Sequence, residues 1–231
     1  MPRGKRGGRR RMTQRRRNKP NLKTTWYRPI ANMTLGQAAY GAMRGVNMMR
    51  GIVNSEKKRF DFALSFTPSN IGSIQNLSLI TAGDDANNRQ GNSILAKYMT
   101  FQYIIRQAAT AIATDIRILI ITDTQNQGVD PTLAQILQFT IANTNITSPI
   151  NIDNTQRFTV LMDHRHSISN TGAKSLTRKY YKSLNFHMRF TGVLSSDYNK
   201  NAIYLVLISN EGAGATAPTF EGSSRIVFYD N

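Results

Sequence analysis

From Arg59 onward, apolar and polar positions alternate. Phe60, Phe62, Leu64 and Phe66 are interleaved with Asp61, Ala63 and Ser65, the period of a strand with one buried face. Further β-rich runs cover Ile94–Ala113, Ile116–Thr122, Phe158–Asp163, Leu184–Phe190, Ala202–Ser209 and Arg225–Tyr229. Between them stand Gly83-Asp84-Asp85-Ala86-Asn87-Asn88, Asn126-Gln127-Gly128, Asn170-Thr171-Gly172 and Asn210-Glu211-Gly212-Ala213-Gly214, stretches whose residue types favour turns. Residues 131–137 predict one short helix, with Asp130 as N-cap and Pro131 at the first helical position. Six or more strands with almost no helix in about 170 residues imply a β-sandwich, jelly roll or barrel. No internal repeat of fixed period is present.

Upstream the period changes. Leu35, Ala39, Ala42, Val46, Met49 and Val53 are spaced by alternating fours and threes, which places them on one face of a helix. Gly36, Gly41, Gly45 and Gly51 oppose it, each by about 1 kcal/mol relative to Ala. A helix over 33–53 is therefore expected to form against a partner surface; a glycine-rich linker with chance spacing is the competing reading. Residues 1–28 show no apolar period at all. They carry Arg3, Lys5, Arg6, Arg9, Arg10, Arg11, Arg15, Arg16, Arg17, Lys19, Lys23 and Arg28, and this density of like charge predicts an arm that stays disordered until it meets an anion.

Charge sharpens that division. The 231-residue chain has a formal net charge of +17. Residues 1–58 hold sixteen Lys and Arg against one acid, Glu56, or +15; residues 59–231 hold fourteen bases against twelve acids, or +2. Such asymmetry marks a polyanion-binding tail on a near-neutral body. Arg outnumbers Lys nine to three in the first 28 residues, which favours bidentate phosphate contacts and stacking on bases. Trp26 and Tyr27 beside Arg28 suit stacking on unpaired bases, or equally docking the end of the arm on the β domain. Nothing in the arm would hold base-reading side chains in a groove, so binding is expected to be sequence-tolerant and steeply salt-dependent. A nuclear localisation signal is a second use of the same residues.

Candidate catalytic chemistry is thin. Cysteine is absent, which removes disulfides and thiolate sites. His164 and His166 stand two apart beside Asp163, and His187 lies in a separate run. No third ligand at a recognisable spacing joins the first two, so partly exposed histidines at a strand end are the expectation. Asp84-Asp85 reads as a solvated loop. No nucleophile elbow, phosphate loop or dinucleotide fingerprint occurs. No apolar run approaches the roughly 18 residues of a membrane span, and a secretory signal lacks its apolar region.

A series of short motifs adds a resemblance. Glu56-Lys57-Lys58-Arg59-Phe60, Gln75-Asn76-Leu77-Ser78, Gly83 through Gly91, Arg117-Ile118-Leu119-Ile120 with Asp123, Gly128 with Pro131-Thr132 and Ile136-Leu137, Gln156 through Asp163, and Tyr229-Asp230 occur in the order found in the satellite tobacco necrosis virus coat-protein family. Coat proteins of small circular single-stranded DNA (CRESS) viruses look similar. The resemblance implies an all-β chain: a disordered Arg-rich arm over 1–32, a short amphipathic helix and linker over 33–54, and a single eight-stranded jelly roll over 55–231. It implies no enzyme, but a capsid protein. Sixty copies would close a T=1 icosahedral shell around a single-stranded DNA or RNA genome, with the arm facing inward, no membrane involved, and the chain located in the virion and, for a DNA genome, the host nucleus during assembly. No cofactor is required. The resemblance also implies calcium at subunit contacts: Glu56 of one subunit with Asp230 of another, completed by Gln90 and Ser93 carbonyls, and Asp84 repeated about a threefold axis. Asn92 departs from it, standing where the plant satellite protein has an acid. A monomeric, ribosomal-protein-like nucleic-acid binder with a basic extension is the alternative.

Overall fold

A computed structural model of the chain describes residues 56–126, 128–139 and 146–230. The chain divides at residue 54 into two units; the arm and the expected helix over 33–53 lie outside the described residues. The strands are β1 Lys57–Phe66, β2 Ser73–Asn76, β3 Ser93–Arg106, β4 Ala113–Asp123, β5 Phe158–Ser169, β6 Ser175–Phe190, β7 Tyr198–Lys200, β8 Ala202–Ser209 and β9 Thr219–Asp230, with a short helix α1 at Leu133–Ile136. They form two antiparallel sheets ordered β1-β9-β3-β6-β7 and β2-β8-β4-β5. The chain passes from one sheet to the other at every connection except β4–β5 and β6–β7, which is the double-sheet jelly roll. The expected eight strands are its frame, and three-residue β7 extends the edge of the first sheet.

The core lies between the sheets. Tyr103 on β3 contacts His166 on β5 through its hydroxyl at 2.8 Å, which sets the inner face of the second sheet. Register then places Ile116, Ile118 and Ile120 of β4 on that face with Leu205 and Leu207 of β8. They meet Met99, Phe101, Ile105, Phe220, Ile226 and Phe228 in one buried cluster. The outer face of the second sheet is covered as well: all eight residues of β8 are buried. This explains why Ala202–Ser209 reads as a continuous apolar run whereas β1, solvated on one face, alternates.

Covering that outer face brings charges inside. Arg117, 1 % exposed, is held by Asp163 through Nε at 2.9 Å and Nη2 at 2.8 Å and by the Ser148 carbonyl. Buried Asp123 is matched by Arg157 at 2.8 Å. Bidentate geometry offsets much of the desolvation of these ions.

Several boundaries differ from the sequence expectation. The run Ile94–Ala113 is β3 followed by a turn over Gln107–Ile112, in which Gln107 Nε2 donates to the Ala111 carbonyl at 3.0 Å, and only its last residue, Ala113, belongs to β4. β5, β6 and β9 extend well into polar sequence, since pairing, not apolar content, keeps those residues extended. Asp130 does not cap α1. Thr132 is the N-cap, its N–H donating to Gln135 Oε1 at 3.0 Å, and Asp130 instead accepts from the Tyr198 hydroxyl at 2.6 Å.

Leu205→Ala should leave a cavity between fully covered layers and lower unfolding free energy by about 2–5 kcal/mol, read from the midpoint of a denaturant titration.

Candidate functional site

Three segments distant in sequence meet at one end of β1, β9 and the loop before β3. The Asp230 N–H donates to the Glu56 carbonyl at 3.0 Å, and the Arg59 N–H to the Ala86 carbonyl at 3.1 Å. The Asp230 carboxylate is 5 % exposed. It accepts from the Gln90 N–H at 2.5 Å and the Gly91 N–H at 3.3 Å. Lys58, its side chain wholly buried, sets its ammonium 3.4 Å from Asp230 and 3.5 Å from the exposed carboxylate of Glu56. Lys58 Nζ makes no hydrogen bond among the described residues, so the two carboxylates alone offset its burial.

A second buried cation fixes the loop itself. Arg89 is fully buried and its guanidinium donates to the carbonyls of Ile80 (3.1 Å), Gly91 (2.9 Å) and Gly192, and to Asn92 Oδ1 (3.3 Å). It also lies over the Phe190 ring, 4.0 Å from its centroid. Burial pulls its pKa below the usual guanidinium range, opposed by Asp197 and Asp230. One side chain thus joins residues 80–92 to the turn after β6, aided by the Ala82 N–H donating to the Val193 carbonyl at 2.9 Å. Asn92, where an acid was expected from the resemblance, is here an uncharged acceptor for Arg89.

The sequence model of a family described as satellite tobacco necrosis virus coat protein matches residues 40–231. The chain belongs to that coat-protein family. None of the curated proteins compared with it matches. Among solved structures, desmodium yellow mottle tymovirus is similar at 9 % identity and TM-score 0.34 over 76 % of this chain and 89 % of that one. The empty head of turnip yellow mosaic virus is similar at 11 % identity and TM-score 0.35 over 75 % and 81 %. As a coat-family member the chain is a structural protein of the virion.

In this family member the expected calcium residues are distributed as follows. Glu56 and Asp230 flank Lys58. Asp84 is exposed in the loop and accepts from Gln90 Nε2 at 3.3 Å. Ser93 opens β3, its hydroxyl 3.3 Å from His187 Nδ1. Within one chain the Glu56–Asp230 pair does not fit a calcium ion, which takes six to eight oxygens: Asp230 faces an ammonium and two amide N–H groups, and all are donors. The expected nucleic-acid contacts, Arg3 through Arg28, and the stacking candidates Trp26 and Tyr27 lie outside the described residues. Lys58 and Arg89 were missed as site residues. Their only signal in sequence is their place inside the ordered motifs, since burial of a lone base leaves no local pattern.

The histidines occupy a different place from the expected strand end. His164 and His166 lie within β5, and with Tyr103, Arg165, Arg178 and Lys179 they line an open cleft of about 300 Å³ at the margin between the sheets. Burial, then His164 and Arg178, lower the His166 pKa below its ordinary 6.5. Burial pushes the Tyr103 hydroxyl up to about 12. Among the described residues no three His, Asp or Glu side chains are grouped to hold a metal.

Arg89→Met should leave at least three backbone carbonyls without their donor and cost about 2–5 kcal/mol. Lysine cannot reproduce the planar fork, so Arg89→Lys should recover little, and amide exchange should quicken first over residues 80–92. Because folding favours neutral His166, its contribution is complete above pH 6.5 and is lost as pH falls below that value. His166→Gln should flatten the acid side of a stability–pH profile measured by denaturant titration.

Proposed function

We propose that the chain self-assembles into a T=1 icosahedral shell of sixty copies and packages a single-stranded genome through the cationic segment over 1–32. The observation that carries this reading is the separation of charge: +15 before residue 59 against +2 after it, attached to a jelly roll of a coat-protein family. A neutral body can pack against copies of itself without the self-repulsion that +17 spread evenly would bring. Sixty segments over 1–32, each +12, supply about 720 positive charges, which suits a genome of on the order of 1,000 nucleotides. Contact of each tail is weak and salt-sensitive, while closure holds the tails at high local concentration.

Large apolar side chains left in water support contacts between copies. Ile112 is 77 % exposed and Ile71 71 %, and Val193 and Leu194 project from the turn that Arg89 anchors. A ribosomal-protein-like monomer is disfavoured because its basic residues would spread over the folded body.

Negative-stain microscopy of the purified full chain should show small, uniform closed shells at low and moderate salt. A persistent monomer would sink the assembly reading. Removing residues 1–28 should abolish co-purifying nucleic acid while circular dichroism of the β domain is unchanged; nucleic acid retained by that truncation would refute the role of the arm. Digestion of the recovered nucleic acid by RNase or DNase names the cargo.

A further inference from the structure

We propose that the Lys58 ammonium is the built-in counter-ion of the Glu56 and Asp230 carboxylates of its own chain, so that Asp230 takes no calcium ion. The geometry is specific to buried charge. Lys58 Nζ lies between the carboxylates, 3.5 Å from Glu56 Oε2 and 3.4 Å from Asp230 Oδ2, and its side chain has no exposed surface. The side chain therefore has no open route by which to swing into solvent and vacate the position.

Three features exclude a second cation. A calcium ion binding Asp230 would sit about 2.3–2.6 Å from its oxygen, within a few ångströms of the ammonium. Repulsion there is weakly screened, because Lys58 and Asp230 are both buried. The loop presents the N–H groups of Gln90 and Gly91 to the carboxylate, the opposite polarity to the oxygen shell that calcium requires. Finally, those amides and Lys58 Nζ already surround both Asp230 oxygens from within one chain. A lysine beside two acids thus performs the neutralisation that a divalent ion performs between crowded carboxylates. It does so without exchange with the medium.

The consequence is an Asp230 carboxylate indifferent to chelators and to calcium. Thermal unfolding of the full chain, followed by circular dichroism in EDTA and in millimolar calcium, tests this whether or not shells form, so the result is separable from the assembly reading. Wild type should shift by less than about 1 °C between the two conditions. Lys58→Met should melt roughly 5–15 °C lower in EDTA, since breaking a buried pair leaves an uncompensated charge, and calcium should raise it by several degrees. Lys58→Met combined with Asp230→Asn should lose that calcium response. The proposal is overturned if calcium stabilises wild type by several degrees and Asp230→Asn abolishes the effect, or if Lys58→Met in EDTA is as stable as wild type. Should Lys58→Met fail to fold, isothermal titration of calcium into wild type and Asp230→Asn decides: no binding difference is expected, and wild-type binding lost in Asp230→Asn refutes the assignment.

Discussion

Apolar burial between two antiparallel sheets is the interaction on which the rest of the molecule depends. Each large aliphatic or aromatic side chain moved from water into that layer contributes about 1.5–3 kcal/mol, and the cluster includes residues from eight of the nine strands. Its second sheet is covered on both faces, so β4 and β8 have almost no side chain in water. Strands enclosed on both faces have little room for polar groups that lack partners. Every charged side chain drawn inside must find its complement within the chain.

That constraint accounts for the buried cations. Arg117 meets Asp163, and the half-buried Arg157 meets buried Asp123. Arg89 uses carbonyls in place of a carboxylate, and Lys58 uses two acids. The last two differ in consequence. They lie where β1, β9 and the 80–92 loop converge, and they hold irregular backbone in one arrangement without extended pairing. A loop fixed in this way can present the same surface on every copy, which repeated self-association needs.

Functionally, the molecule separates two kinds of electrostatics. In the body, opposite charges are paired at short range and sum to nearly nothing. Before residue 57 fourteen Lys and Arg stand against a single acid, Glu56. The buried pairs of the body, such as Arg117–Asp163, are largely insensitive to salt, whereas the exposed ones weaken as salt rises.

By itself, the sequence determined the existence and type of most strands, the position of the charge and the order of the coat-protein motifs. Period-two alternation and net charge are local properties that require no knowledge of neighbours. It also located the turn at 83–91 and the continuous apolar run at Ala202–Ser209. Polar strand halves such as Ser175–Ser183 were illegible, because their extended shape comes from pairing with β3. Only the tertiary structure decided that Thr132 caps α1, that His166 meets Tyr103 across the sheets, and that Lys58 stands between Glu56 and Asp230. Those outcomes depend on cross-strand register and on which face each sheet buries. The resemblance set the two acids on different subunits; within one chain the fold sets an ammonium between them.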